Sequence, residues 1–580
     1  MPSITTLVNP LSTLFQVTLS VLRTVFLVFL SHLPGSQQAI KRISVANTSI
    51  LYHDGRALAT CESGPPIRIQ LPSLDTVGWL NGIQAEGEPE DFRSQLDAHQ
   101  FGGNGALSFL KEWTTGHPKV DNRTGEMLLY HNTFLPPFVH YSVIPSNLSK
   151  NSKTAKLKLI NEPVVGVSGA RMMHDFGASH TQTIIMDLPL SLDPLNLLRN
   201  REVVSYDSSQ ASRFGVFPRH KPHDVRWFTS QACCIFHTAN AWDTTVEGKV
   251  VSVNLLACRM TSATLLYSAG NIAPPNVSGN KKDVDLEKTP STRENLHAPP
   301  GPMCHYEKGS VLESYTPRPK ALDYLSTHAS EDNDQCRLYY YEFDLSTTEK
   351  NLVSHEWALS AIPFEFPSVR PDFEMQEARY VYGCTTSSSC FGVVLGKSVK
   401  IDVIAKIDTR TLIQKGKDMH IAPVTGCVDE RTVSEILDED NKDDPIQCFR
   451  LPRNHFAQEP RFIPRSSSDE EDDGYLLFYV FDESQLTISG ECPQSAVSEF
   501  WILDAKSMRN VVTKITLPQR VPYGLHGTWF SYSDIEKQRD IKTFRSLEKL
   551  QTRKHWWVFG QKVWWCSWVR WRELLEKAVR

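Results

Sequence analysis

The residues of this 580-residue chain that could carry chemistry are mainly its 19 histidines. The sequence has no HExxH, no GxSxG, no Walker phosphate loop and no GxGxxG after a strand-like segment, so the common peptidase, hydrolase and nucleotide-binding signatures are missing. Imidazole serves as an acid, a base or a metal ligand, but most histidines are surface or core residues. Spacing alone does not identify which of them act together.

Composition sets limits on the class of protein. The net charge of -5 and the isoelectric point near 6.5 give no general attraction to nucleic acid, so we predict no nucleic-acid partner. The 12 cysteines include no CxxC pair, which favours free thiols in a reducing compartment over a disulfide framework. We therefore predict a cytoplasmic protein, although four Asn-X-Ser/Thr triplets would permit glycosylation in a secreted one.

Short strands must position any site. From residue 43 onward the chain has strand-length apolar runs such as TSILYHDGRALATCE, TQTIIMDLPL and QCRLYYYEFDL, separated by turns such as HDG and DNRTG. Long helical patterns are scarce. Many short strands over several hundred residues predict an all-β barrel, sandwich or propeller, and no fixed repeat selects among the three.

Both ends differ from this pattern. Residues 1–42 form an apolar segment whose stretch 11–33 is long enough to span a bilayer, but Arg23 lies in its middle; a helix in the membrane interface and an ordinary core helix both fit. Residues 273–302 are polar and Pro-rich, and are predicted to be a loop insertion. Residues 536–580 form a tail rich in Trp and Arg, for which a membrane-surface helix, a buried closing helix and a mispredicted exon all remain open.

Four motifs identify a family. GHPKVDNRTGEML at His117, ARMMHDFGASHTQTIIMDLPL around His174, CCIFHTANAWD at His237 and RVPYGLHGTWF at His526 resemble, in order, elements of the carotenoid cleavage oxygenases. This family, which includes the retinal pigment epithelial membrane protein, is matched from about residue 45 to residue 530. The wording of the motifs is most similar to fungal carotenoid dioxygenases.

The resemblance implies a site. The four histidines would bind Fe(2+), with no further catalytic residue beyond the metal centre. CESGPP at Glu62, FEFPSVRP at Glu365 and EPRFIPR at Glu459 resemble the family's three glutamates. Glu62 would orient His174, Glu365 would orient His237 and Glu459 would orient His526, since a carboxylate that accepts one ring N–H fixes the other nitrogen for a metal.

The resemblance also implies a fold, a seven-bladed β-propeller with a helical cap, which would occupy residues 43–535. The family's opening RNGPNP and FDGDGM elements are absent before residue 43, so part of the N-terminal blade is expected to be lacking. Sheet edges left open in this way favour aggregation.

The implied reaction is oxidative cleavage of a conjugated C=C bond by O2. The stilbene-cleaving branch uses a lysine that would fall near Thr133, which carries no cation, so an apolar carotenoid or apocarotenal such as β-carotene or torulene is favoured. The alternatives are a stilbene or lignostilbene dioxygenase, an inactive truncated polyene-binding relative, and an isomerase. We expect contact with a membrane surface, where the substrate dissolves, and no obligate protein partner.

Overall fold

Tight turns join the strands of this chain in pairs. In the computed structural model, which describes residues 46–89, 100–103, 111–146, 158–193, 203–263, 336–347, 351, 353–387, 400–465, 470–524 and 526–545, Asp54 and Gly55 have φ of 52° and 77°. Glu247 and Gly248 have φ of 50° and 76°. Positive φ at both central residues is the type I′ geometry that matches the twist of a hairpin. The turn predicted at HDG is confirmed.

The strands form six sheets of four or five strands and one two-stranded ladder. Sheet 1 contains β1 (Ile50–His53), β2 (Arg56–Ala59), β3 (Ile67–Ile69) and β4 (Thr76–Trp79). Sheet 2 contains β5 (Lys119–Val120), β6 (Met127–Asn132), β7 (Val139–Ile144) and β8 (Leu159–Pro163). Sheet 3 contains β9 (Gly177–Ala178), β10 (Gln182–Asp187), β13 (Ser212–Pro218) and β14 (Arg226–Ser230), and the ladder pairs β11 (Leu190–Leu192) with β12 (Val204–Tyr206).

The second half of the chain forms the larger sheets. Sheet 4 contains β15 (Cys234–Val246), β16 (Lys249–Met260), β17 (Cys336–Asp344), β18 (His355–Ser360) and β22 (Cys427–Asp429). Sheet 5 contains β19 (Glu365–Ser368), β20 (Tyr380–Thr385), β21 (Val403–Asp408) and β23 (Ile446–Arg450). Sheet 6 contains β24 (His455–Ala457), β25 (Arg461–Pro464), β26 (Gly474–Asp482), β27 (Glu499–Asp504) and β28 (Val511–Thr516).

Helices are few and short. The described residues contain α1 (Thr409–Asp418), α2 (Val433–Glu439) and α3 (Tyr532–Glu536), with 3-10 turns at Pro222–Asp224, Pro371–Phe373 and Glu483–Gln485. Within the described ranges, no helix is long and apolar enough to cross a bilayer. The apolar segment 1–42, the loop insertion 273–302 and the tryptophans of the tail lie outside the described residues.

Consecutive sheets pack face to face in chain order. In β6, Met127 and Leu129 join the core between sheets 1 and 2, whereas Leu128 and Tyr130 join the core between sheets 2 and 3. The same alternation in β10, β16 and β17 builds the cores between sheets 3 and 4 and among sheets 4, 5 and 6. Strands buried on both faces have nearly continuous apolar sequences, because side chains alternate between the two faces. The predicted all-β, propeller-like fold is confirmed, and six sheets are described.

The end of the described chain returns to its beginning. The backbone N–H groups of Arg539, Lys542 and Arg545 donate to the carbonyls of Gly55, Gly87 and Thr76 at 2.9, 2.8 and 2.8 Å. The first residues of the predicted C-terminal tail therefore pack on sheet 1. These contacts join the segment that follows His526 to the first sheet of the chain.

Candidate metal centre

The four histidines quoted from the motifs meet at one point. One ring nitrogen from each of His117, His174, His237 and His526 lies within 4.8 Å of the other three. The Nε2 atoms of His117 and His174 are 3.0 Å apart. The structure thus brings together four residues that the chain spreads over more than 400 positions.

Each histidine lies in or next to a different sheet. His117 lies two residues before β5 of sheet 2, and His174 precedes β9 of sheet 3. His237 lies in β15 of sheet 4, and His526 follows β28 of sheet 6. Ligands held by several packed sheets have little freedom to move apart, which is the property a preformed metal site needs.

Three of the four imidazoles contact the predicted carboxylates. The Nδ1 of His174 donates to Glu62, and the Nδ1 of His237 donates to Glu365 at 2.6 Å. The Nδ1 of His526 lies 3.3 Å from Glu459. Because each carboxylate accepts the Nδ1 proton, the Nε2 lone pair of each ring is left for another partner. Within the described part of the chain, these three rings have a hydrogen-bond contact to a carboxylate and His117 has none.

The free nitrogens indicate what that partner is. Among the described residues, Nε2 of His237 and Nε2 of His526 are buried and have no hydrogen-bond partner. Buried polar atoms without a partner are rare in native proteins and indicate that a bound group outside the protein chain satisfies them. An ion with metal–nitrogen bonds of about 2.1 Å holds neighbouring ligands about 3 Å apart when they meet at right angles. The spacing of His117 and His174 fits such an ion, so the four residues fit a divalent transition metal.

Electrostatics keep most of the cluster ready for a cation. Burial, and then the neighbouring rings of His174 and His237, hold the pKa of His117 well below its ordinary value of 6.5. Burial also lowers the pKa of His526, although Glu459 opposes this. Burial alone would lower the pKa of His237, but the Glu365 carboxylate reverses the effect and raises it. Neutral imidazole is the form that binds metal.

Two aromatic residues at the site were not predicted. The ring of Phe236 lies 5.5 Å from the ring of His174, and the ring of Phe366 lies 5.4 Å from that of His237. Phe366 has φ of 53°, and its N–H donates to Glu365 at 2.7 Å. Positive φ is rare for a bulky residue and costs about 1–3 kcal/mol, which the surroundings must supply. The sequence signal that could have predicted them was the position of Phe236 directly before His237, in IFH, and of Phe366 directly after Glu365, in FEF.

Known proteins match this chain in sequence over most of its length. The family profile of the retinal pigment epithelial membrane protein matches residues 13–531. The chain is 64% identical to carotenoid dioxygenase carX of Gibberella fujikuroi over 580 residues, which are 100% of this chain and 82% of that protein. It is 29% identical to carotenoid 9,10(9',10')-cleavage dioxygenase 1 of Pisum sativum over 504 residues, 85% of this chain and 68% of the relative.

Solved structures share the fold at lower identity. A lignostilbene dioxygenase of Pseudomonas brassicacearum superposes with a TM-score of 0.53 at 18% identity, covering 84% of this chain and 76% of the other. A cobalt-substituted Synechocystis ACO superposes with a TM-score of 0.50 at 18% identity, covering 84% and 74%. These likenesses support the fold alone. On the profile match and the 64% identity, the chain belongs to the retinal pigment epithelial membrane protein family of carotenoid oxygenases.

Proposed function

We propose that this protein is an iron(II)-dependent dioxygenase that cleaves a conjugated C=C bond of a carotenoid or apocarotenoid with O2, giving aldehyde products. The observation that carries the proposal is the convergence of four imidazoles on one point, with two buried Nε2 atoms lacking a partner within the described chain. The 64% identity to a fungal carotenoid dioxygenase supports the reaction class.

The proposed ligands are His117, His174, His237 and His526, and the proposed metal is Fe(2+). Bound iron would supply the redox chemistry that activates O2, which zinc could not do. Four neutral ligands leave the ion its full positive charge. The chain's own part is to hold four Nε2 lone pairs in place, through Glu62, Glu365 and Glu459 on the far side of three of the rings.

A carotenoid is preferred to a stilbene because of the position that a phenol-binding lysine would occupy. Thr133 is 7% exposed, and its hydroxyl donates to the carbonyl of Leu135 at 2.7 Å. A hydroxyl already used within a turn supplies neither a cation nor a free donor for a phenol. We infer that the substrate is an apolar polyene such as β-carotene, torulene or an apocarotenal.

The fold's finer description is also a proposal. We infer that the fold is the family's seven-bladed β-propeller, of which six sheets of four or five strands lie in the described chain. The helical cap and the lacking part of the N-terminal blade remain predictions. A cytoplasmic location at the surface of a membrane is likewise a prediction. Nine free cysteines among the described residues support the reducing compartment, and the apolar substrate supports the membrane surface.

The test is anaerobic reconstitution with Fe(II), metal analysis, and incubation with β-carotene or torulene in micelles under air. His237→Ala, treated in parallel, controls for unspecific metal. One iron per chain with an aldehyde from one defined bond supports the proposal. Iron binding with cleavage of a stilbene instead would reassign the substrate. Soluble, folded protein that takes up no iron would overturn the function.

A further inference from the structure

Beside the four histidines lies a buried carboxylate that the proposed chemistry does not use. Asp175 follows His174 in the chain and is 1% exposed. It contacts none of the other three histidines directly, but its hydrogen-bond partners belong to the segments that carry two of them.

The first partner is next to His117. The Nζ of Lys119 lies 2.8 Å from Oδ1 and 3.1 Å from Oδ2 of Asp175. Lys119 is two residues beyond His117, at the beginning of β5. The ion pair therefore ties the segment of His117 in sheet 2 to the segment of His174 in sheet 3.

The second partner is next to His237. The backbone N–H of Thr238 donates to Oδ2 of Asp175 at 2.8 Å, and the Thr238 hydroxyl is also 2.8 Å from that oxygen. Thr238 directly follows His237 in β15 of sheet 4. The remaining oxygen accepts the N–H of Phe176 at 2.8 Å, so both carboxylate oxygens are fully used.

His526 is held by other groups. Glu459 accepts the N–H of Gly527 at 3.1 Å as well as contacting the ring of His526. Arg461 donates to the carbonyl of Gly527 at 2.5 Å and pairs with Glu459 at 3.2 Å. These contacts divide the cluster into three rings whose segments are joined through Asp175 and a fourth ring held from sheet 6.

We propose that Asp175 is a positioning residue that sets the spacing of the His117, His174 and His237 rings, so that these three form one prebuilt face for the metal and His526 completes it independently. The inference rests on the proposed metal-binding role of the histidines. The side chain of Asp175 is 2% exposed although that of Lys119 is 26% exposed, and a charge kept in so buried a position is more readily explained by the geometry it specifies than by stability alone. Removing groups that orient metal ligands lowers metal affinity or activity by about 10–100-fold.

The test compares Asp175→Asn with a matched buried variant, Asp429→Asn. Asp429 is 6% exposed, accepts a backbone N–H and pairs with Arg431, but contacts none of the four histidines. The chelator-driven loss of Fe(II) and the visible spectrum of the Co(II)-loaded protein are measured for each. We expect Asp175→Asn to lose Fe(II) about 10–100-fold faster with an altered Co(II) spectrum, and Asp429→Asn to match the wild type in both.

The outcomes separate the two proposals. A wild-type chain that binds neither ion would overturn the metal site itself. If the wild type binds and Asp175→Asn loses Fe(II) at the wild-type rate with an unchanged Co(II) spectrum, the positioning role is wrong. If Asp175→Asn fails to fold, Lys119→Met removes the ion pair and Thr238→Val removes the hydroxyl bond to Asp175, while the backbone N–H bond of residue 238 remains. Faster loss of Fe(II) in both variants supports the role, and wild-type loss in both overturns it.

Discussion

The Nε2 atoms of His117 and His174 lie 3.0 Å apart, although 57 positions separate the two residues in the chain. Glu62 accepts the Nδ1 proton of His174, so the Nε2 atom of His174 keeps its lone pair and directs it toward His117. A shared cation satisfies both lone pairs at this distance.

Removal of one imidazole from the four-histidine cluster should therefore abolish iron binding. We expect His117→Ala and His237→Ala to retain no iron after anaerobic reconstitution and gel filtration, and to show no cleavage. His355→Ala is the control, because His355 lies in β18, has a 39% exposed side chain and contacts Glu342. The iron content is measured by mass spectrometry. A His237→Ala protein with one iron per chain would remove His237 from the ligand set.

The three carboxylates should not be equivalent. The side chain of Glu365 is 2% exposed, whereas that of Glu62 is 39% exposed, so water can replace Glu62 more easily. We expect Glu365→Gln to lower turnover or iron affinity by about 10–100-fold, and Glu62→Gln to have a smaller effect. Rates and Fe(II) dissociation constants are compared at equal protein concentration.

A buried glutamate away from the site provides the matched control. Glu356 is 4% exposed and contacts Ser230 and Arg259, so Glu356→Gln introduces a buried amide without touching the histidines. Equal losses of iron affinity in Glu365→Gln and Glu356→Gln would mean that the effect comes from general destabilisation.

The strands and the site residues could be predicted for different reasons. HDG and the apolar runs encode hairpins locally, and the histidine motifs predict the four clustered histidines by resemblance. The partners of Asp175 could not be predicted, because Lys119 and Thr238 are distant in the chain and meet it only after sheets 2, 3 and 4 pack together. The pairing of Arg539 with Asp54, across 485 positions, likewise has no local signal.

A buried ion cluster between sheets 2 and 3 should dominate acid stability. The Nη1 of Arg219, which is 2% exposed, lies 2.5 Å from Asp121 and 3.0 Å from Glu126. Burial alone would raise the pKa of both carboxyls, but Arg219 on Asp121, and His220 with Arg219 on Glu126, lower them overall. Removal of the cation takes the arginine partner from two buried carboxylates, so Arg219→Met should cost about 3–5 kcal/mol at pH 7.

The pH dependence follows from the direction of these shifts. A lowered folded-state pKa contributes stability that is fully present above the unfolded values, 3.8 for Asp121 and 4.5 for Glu126, and is lost as the pH falls through the folded values. Urea unfolding of the wild type and of Arg219→Met should therefore differ most at neutral pH and converge in acid. A difference that stays constant below pH 4 would contradict this assignment.

The last prediction concerns the contact between Arg539, near the end of the described chain, and Asp54, in the first hairpin. Arg539 donates from Nε to the carbonyl of Asp54 at 2.7 Å and pairs through Nη2 with its carboxylate at 2.6 Å. Hydrogen bonds to charged groups contribute about 1.5–3 kcal/mol. Arg539→Ala should lower the Tm and also speed the loss of Fe(II), because the same segment carries His526.

Arg545 on the same segment is the matched control. Its side chain is 38% exposed and pairs with Glu86, itself 43% exposed, at 3.1 Å. Surface pairs of this kind contribute about 0–1 kcal/mol, and the guanidinium also lies 3.9 Å from the centre of the Trp79 ring, so Arg545→Ala should lower the Tm less than Arg539→Ala and leave the loss of iron at the wild-type rate. If Arg539→Ala lowers the Tm while iron is lost at the wild-type rate, the contact between Arg539 and Asp54 stabilises the fold without setting the position of His526. Faster loss of iron would instead show that a contact on sheet 1 helps to hold the fourth histidine.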